Sequence, residues 1–372
     1  MASLVTGTAL TNNLTRIAFS SVLHRQTQDK LFFNKKNMVG KDIGGESAFE
    51  RRAGLPIRSL EALNGKRAQE VRVGLMMQLT RNRTQATGER SLNARTYGVS
   101  SSNTMVDQEE LAALHNCIAF TEQSKHATST VTPEIQDLRT EFKVTAQLGG
   151  LLTDWSAAER EENTLDAIYY KWSGHVKAGL SQTASSPPTA NQKWAGAATD
   201  DASLGTSDRL SPAELRRMCS FVETKNISPV TFKGMEGYVL LVHPFNYNDL
   251  ISNSEIQASL QNAYPRDKKD NPLFGAADFE YAGIYVYKYS RIRASATNPN
   301  ARRCILLGAD AVAEGVTSRP RLVRRKEDDY EDIFGLGIKE IYGQSRFDWA
   351  PNSGTTFNQS MAIWGIYTAT EV

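Results

Sequence analysis

The chain has 372 residues, 40% hydrophobic and 23% charged, the make-up of a folded protein able to build a large core in roughly two or three compact units. Its 43 basic and 41 acidic residues leave a net charge of +2, without the basic excess of a protein that works chiefly by neutralising nucleic-acid phosphates. Balanced charge suits a surface that packs against copies of itself, because little self-repulsion opposes close association.

Residues 1–60 are polar and locally basic, with Lys30, Lys35, Lys36, Lys41, Arg51 and Arg52 and a few aromatics, Phe32, Phe33 and Phe49. This composition predicts an arm lying on another surface with short helical pieces; a partly disordered tail is the alternative. From 66 to 106 the pattern changes. Val71, Val73, Leu75, Met77 and Leu79 alternate with Arg72, Gly74, Met76 and Gln78, which is the period of a strand. A polar tip carrying Arg81, Arg83, Gly88 and Arg90 follows, and then Tyr97, Val99 and Met105 suggest a returning strand. A long isolated hairpin is marginal in water, so this one must lie on its own core or on a neighbouring molecule.

Residues 114–121 predict a further short strand. Thr132-Pro133-Glu134 is a helix start: a side-chain cap, a proline suited to the first turn, and an acid that complements the helix dipole. Ile135, Leu138, Phe142 and Ala146 follow at spacings of three and four, and an apolar face continues through Leu148, Leu151, Leu152 and Trp155 to Ile168-Tyr169-Tyr170. This predicts one long helix, with a kink expected at Gly149-Gly150. Residues 181–207, rich in Ser, Thr and Ala and holding Pro187-Pro188, read as a loop and a domain boundary.

Ser211-Pro212-Ala213-Glu214 repeats the helix-start chemistry. Residues 238–242 (YVLLV) predict a buried strand, residues from Asn248 to about Ala263 a helix, and 282–289, 305–307 and 361–368 further strands. The stretch 302–349 predicts a strand over 304–307, then Gly308, a short Ala-rich helix, a charged run, and an aromatic-studded segment ending at Trp349. No internal repeat is present.

Little in the chain points to catalysis. Gly308 and Gly315 fit neither the phosphate-loop nor the dinucleotide spacing, and no Gly-Lys-Ser/Thr occurs. His243 ends a predicted strand before Pro244, but no Ser or Cys elbow accompanies it. His24, His115, His126 and His175 are scattered and form no metal pair. The acidic run Glu327, Asp328, Asp329, Glu331 and Asp332, just after Arg321, Arg324, Arg325 and Lys326, lacks the alternation and glycine of a calcium loop. It reads as a solvated segment or as one side of ion pairs between copies. Arg81, Arg83 and Arg90 fit inter-subunit salt bridges, nucleic acid or water, and the nucleic-acid reading lacks interleaved aromatics. Gly335, Gly337 and Gly343 read as sites of close backbone packing. No cofactor or metal is expected.

Cys117, Cys219 and Cys304 are far apart and form no CxxC, which excludes a disulfide framework or zinc site and predicts three small buried hydrophobes in a reducing compartment. No apolar run approaches the roughly 18 residues that cross a bilayer. The opening MASLVTGTALTNNLTRIAFSS lacks the layout of a secretory signal, so synthesis in cytoplasm-like conditions is expected.

Taken in order, the polar arm, the hairpin, the strand near KHAT (125–128), the helix over 132–155, GYVLLVHPFNYNDL (237–250), YAGIYVYKYSRI (281–292), RCILLGADAVAEGV (303–316) and GLGIKEIYGQSRFDW (335–349) resemble the major capsid proteins of tailed bacteriophages, in particular a podovirus-type family. The likeness runs from about residue 60 to the C-terminus, and the order and spacing of the segments carry it. It implies an α+β, Hong Kong 97-like capsid fold with an N-terminal arm (1–60), an extended, E-loop-like β-hairpin (61–110), a peripheral domain with a long spine helix (111–180), a linker (181–209) and a mixed α/β axial domain with returning peripheral strands (210–372). It also implies self-assembly through hexamers and pentamers into an icosahedral shell around double-stranded DNA. Further implied partners are a portal and decoration or scaffold proteins, with no membrane; the protein is made in host cytoplasm and ends in the virion. The family has no active site to transfer. Arg81, Arg83, Arg90, Arg324, Arg325, Asp328 and Asp329 are the expected subunit-contact residues. The alternatives are a soluble α/β enzyme or ligand-binding protein using the strand ends near His243 and Gly308, and a cellular compartment shell of the same fold.

Overall fold

The computed structural model describes residues 32–36, 38–41, 54–60, 70–76, 114–131, 144–173, 187–225, 227–232, 235–263, 279–295, 297–325, 333–349 and 359–368. In chain order these form helix α1 (Phe32–Lys35), strands β1 (Val39–Lys41), β2 (Ile57–Leu60), β3 (Glu70–Met76), β4 (Leu114–Phe120) and β5 (Glu122–Val131), and helix α2 (Val144–Tyr170). Strand β6 (Gln192–Trp194), helix α3 (Pro212–Thr224), strands β7 (Val230–Phe232) and β8 (Met235–Val242), and helices α4 (Pro244–Ile251) and α5 (Ser254–Ala263) follow. Strands β9 (Phe279–Tyr281), β10 (Ile284–Lys288), β11 (Ala301–Leu307), β12 (Val312–Arg324), β13 (Ile333–Arg346), β14 (Asp348–Trp349), β15 (Gln359–Ser360) and β16 (Ala362–Thr368) complete the chain.

Two sheets carry the architecture. One has seven strands, β6-β16-β11-β8-β10-β9 with β7 beside β8, and its pairings are mixed. Its central strands are buried on both faces, which is why GYVLLV reads as a continuous apolar run rather than an alternation. Leu240 and Val242 face Leu215, Met218, Val222 and Leu250 of α3 and α4. Val239 and Leu241 face Leu165, Ile168 and Tyr169 at the end of α2, together with Phe33 and Ile57 from the N-terminal segment. The other sheet has five strands, β1-β2-β12-β13-β5, and α2 lies along it.

Ser211 caps α3 through its side chain, which accepts from the Glu214 N–H, with Pro212 in the first turn. Helix α2 runs through Gly149-Gly150 without a break. Its expected start at Thr132 lies outside the described residues, as do the expected hairpin tip and the returning strand marked by Tyr97, Val99 and Met105. The partner seen for β3 is β4. The helix expected from Asn248 is two helices, beginning at Pro244 and interrupted at Ser252-Asn253. The segment read as a loop at 181–207 contributes β6, which adds in parallel to β16.

The Ala-rich helix expected after Gly308 does not form. Asp310 takes a left-handed φ of 54°, which ends any helical run, and β12 starts at Val312. Val312, Val316 and Thr317 are β-branched, and the segment pairs in parallel with β2 and antiparallel with β13. Register shifts between Val316 and Arg321 bracket Pro320, whose missing N–H is tolerated at such an irregularity. The outcome is a long three-stranded extension, β12, β13 and β5, in which residues 326–332, joining β12 to β13, hold the acidic run.

Candidate functional site

The two features that tempt an enzyme reading are both consumed by the fold. The side chain of His243 caps α4, its Nδ1 accepting from the Phe245 N–H at 3.4 Å. At Gly308 the backbone donors are already spent. Gly308 N–H donates to Met361, Ala309 to Ser228, Asp310 to Leu55, and Ala311 and Val312 to Pro56. A Cβ at Gly308 would lie 2.4 Å from Ile227 and 2.8 Å from the Ser228 carbonyl, so the glycine serves close packing and not an anion.

The structured chemistry of this molecule lies instead between α2 and the five-stranded sheet. The face that α2 turns to the five-stranded sheet starts apolar, through Leu148 and Leu152, and near the helix end Leu165 and Ile168 pack on the seven-stranded sheet. Its middle is polar: Ser156, Arg160, Asn163 and Thr164 fall at helical spacing and are buried. They meet Glu314 on β12 and Glu340, Tyr342 and Gln344 on β13. Arg160 lies 3.1 Å from Glu340 and 3.6 Å from Glu314, with its guanidinium 4.8 Å from the Tyr342 ring centre. Ser156 donates to Glu340, and Asn163 to the Tyr342 hydroxyl at 2.6 Å. Gln344 donates to Glu314 at 3.3 Å. Burial pushes the Glu340 carboxyl above the usual carboxylate range, and the facing Arg160 only partly opposes this. Such a seam fixes the helix in one register, because any slip strands a buried charge.

Beyond the seam, α2 ends at Lys171, which takes a left-handed φ of 74°. Arg346 then ties the helix end to both sheets. It is fully buried, pairs with both oxygens of Asp348 at 2.7 Å, and donates through Nη1 to the Ile168 carbonyl at 2.8 Å. On the outer flank Arg293 pairs with Glu162 and Asp166, and Arg291 with Glu161. Asp201 anchors the segment before α3 by accepting from Trp194, Ser295 and Arg303. Burial alone would raise its carboxyl; these three donors outweigh that and hold it below the ordinary value.

Of the expected contact residues, Arg81, Arg83, Arg90, Asp328 and Asp329 lie outside the described residues. Arg324 ends β12, Arg325 follows it, and the two diverge. Arg324 is paired with Leu336, whose side is packed by α2, whereas Arg325 lies across Gly335 on the other side of the sheet. Cys304 is buried, its thiol pushed up to about 12 by desolvation, whereas Cys219 is only half-buried, against the expectation of a core position. An open polar cleft of about 440 Å³ beside the start of α3 is lined by Asp208, Arg209, Glu214 and Asp249, and Arg209 already pairs with Asp249 at 3.7 Å. Among the described residues no His, Cys, Asp and Glu cluster suits a metal ion.

Internal polar seams thus brace the two sheets. The family model for phage capsid protein matches residues 20–372. The chain belongs to that family. Among solved structures this capsid protein is similar to the capsid of Ralstonia phage GP4, at 17% identity and a TM-score of 0.66, with 92% of each chain covered. The cyanophage Pam1 capsid follows at 16% identity and 0.64, covering 88% of this chain and 94% of that one. The head of Helicobacter pylori bacteriophage KHP40 aligns at 12% identity and 0.60, with 88% and 94% covered. These likenesses establish the Hong Kong 97-like fold. Comparison with the curated proteins found no match. The protein is a phage capsid protein: it forms the shell and is located in the virion, a structural rather than an enzymatic part. No described helix is long and apolar enough to cross a membrane.

Proposed function

We propose that copies of this capsid protein associate as hexamers and pentamers into an icosahedral head around double-stranded DNA. The family match over residues 20–372 carries this reading. In it, residues 1–60 act as an arm and 61–110 as an extended hairpin that clasps a neighbour. Residues 111–180 form the peripheral domain with its spine, 181–209 a linker, and 210–372 the axial domain. The ten-residue β5 adds a second reason to expect a partner: it is an edge strand, and among the described residues its outer side is unpaired. Arg81, Arg83, Arg90, Arg324, Arg325, Asp328 and Asp329 contribute ion pairs between subunits. Many weak contacts per copy then sum to a shell far tighter than any one of them.

DNA is held without sequence preference, by charge alone. A portal, and decoration or scaffold proteins, complete the head, and synthesis takes place in the host cytoplasm. The test is direct. The purified protein is examined by light scattering and negative-stain microscopy. Rings or closed shells support the reading, and a compact monomer with saturable small-molecule binding overturns it.

A further inference from the structure

The five-stranded sheet has a second face, away from α2, and it carries an arrangement that a lone molecule has no reason to keep. Arg321 on β12 stands directly opposite Lys339 on β13, and Lys339 stands directly opposite Lys125 on β5. Three cations therefore cross three adjacent strands in one row, with a strand spacing of about 4.8 Å. Side-chain alternation fixes the face. Ile338 packs with Leu152, and His126 stacks on Trp155 of α2, so their neighbours Lys339 and Lys125 project from the opposite side. Arg321 and Lys125 are exposed and Lys339 is half-buried. Next to the row lie Val323, Gly337 and Ala127, which carry no charge. Arg325 lies on the same face nearer the hairpin end.

Among the described residues none of the three cations in the row has an ion-pair partner. Like charges directly opposite on neighbouring strands destabilise a sheet, and three in succession do so twice. The same chain holds the complement. Glu327, Asp328, Asp329, Glu331 and Asp332 lie in the connection between β12 and β13. The overall charge is only +2, so the row is not part of a general basic excess. A cation row and an acidic run carried by one chain are complementary between two copies in head-to-tail fashion. Packaged DNA fits less well, because the carboxylates of the same hairpin would repel a phosphate backbone laid along it.

We propose that the Arg321–Lys339–Lys125 row receives the acidic connection, residues 327–332, of a second copy of this chain. The proposal rests on the assembly reading above and names one of its contacts. It makes the β12–β13 extension a reach from one subunit to the sheet of the next.

The test uses two full-length variants. One reverses the row (Lys125→Glu, Arg321→Glu, Lys339→Glu); the other reverses the turn (Asp328→Lys, Asp329→Lys, Glu331→Lys). Circular dichroism and melting first check that each monomer remains folded, and glutamine at the three row positions serves as a milder version. Each variant alone is expected to assemble roughly tenfold less than the wild type at low salt, since like charges then face each other. An equimolar mixture of the two should recover a large part of assembly, because each contact between unlike variants again joins opposite charges, with full recovery held back only where an odd ring prevents alternation. If only the two changes combined in one chain restore assembly, and the mixture does not, the contact lies within a copy and the proposal is overturned. If the row variant assembles normally but releases DNA at lower salt, the row holds nucleic acid and the proposal is likewise overturned. A wild-type chain that never assembles defeats the underlying reading instead, and is told apart by that control.

Discussion

The guanidinium of Arg346, on the five-stranded sheet, sits 5.1 Å from the ring centre of Trp364 on the seven-stranded sheet, and both side chains are fully buried. With Asp348 and the Ile168 carbonyl, this stack joins the end of the spine helix to both sheets at one point. Replacing Arg346 by Met leaves Asp348 buried without its partner and should cost about 3–5 kcal/mol in denaturant unfolding. Adding Asp348→Leu to that change should recover a large part of the loss. A double variant no more stable than the single one would show that packing on Trp364, and not the charge pair, dominates.

The Arg160–Glu340–Glu314 cluster should give the molecule a distinctive pH response. Glu340 has its carboxyl raised by burial, so the native state holds this proton more tightly than the unfolded chain does. Its contribution to stability is therefore present at low pH and declines as pH rises from the ordinary carboxylate value through the raised native one. Glu340→Gln should remove that decline with little effect near the acidic end, measured by urea melts across pH.

Asp201 should behave in the opposite sense. Its carboxyl is lowered by Ser295, Arg303 and Trp194 against the effect of burial, so its contribution is complete above the unfolded carboxylate value and disappears as pH falls through the native one. Asp201→Asn should flatten that acid limb. It should also loosen the segment from Trp194 to Leu210, visible as faster amide exchange there while the core of the seven-stranded sheet stays protected.

Gly308→Ala should destabilise by about 1–3 kcal/mol, because the added methyl meets backbone at the Ser228 carbonyl as well as Ile227. Thermal unfolding checks this; a neutral result would mean that the β7 approach yields easily.

Deleting residues 80–95 should leave the seven-stranded sheet folded and prevent assembly, if the hairpin is a clasp between subunits. A deletion variant that forms shells at the wild-type yield would remove that role.

Much of the seven-stranded sheet was legible in advance, because strands buried on both faces give unbroken runs such as YVLLV, and because Ser211-Pro212 carries its cap openly. The body of α2 was legible too, but its polar middle was not. Ser156, Arg160, Asn163 and Thr164 face protein, and a reading that equates polar with exposed passes over them. The β12–β13 pair was hidden for a related reason. One of its faces meets a polar seam and the other presents cations, so neither Glu340-Tyr342-Gln344 nor Lys339-Ile341 shows apolar alternation. The alanines at 309, 311 and 313 then suggested a helix that Asp310 forbids. The cation row depends on register between strands, which no single segment encodes.

Strand β2, near the start of the chain, is sandwiched between β1 and β12 in parallel register, Ile57 opposite Val312. Parallel neighbours so far apart along the polypeptide pair only after a long loop has closed, which is slow. The five-stranded sheet thus remains open on the ribosome until most of the protein has been synthesised. The order of events is set by topology: β12 and β13 emerge late and β16, which pairs with β11 and β6, emerges later still, so neither sheet closes until translation is nearly over.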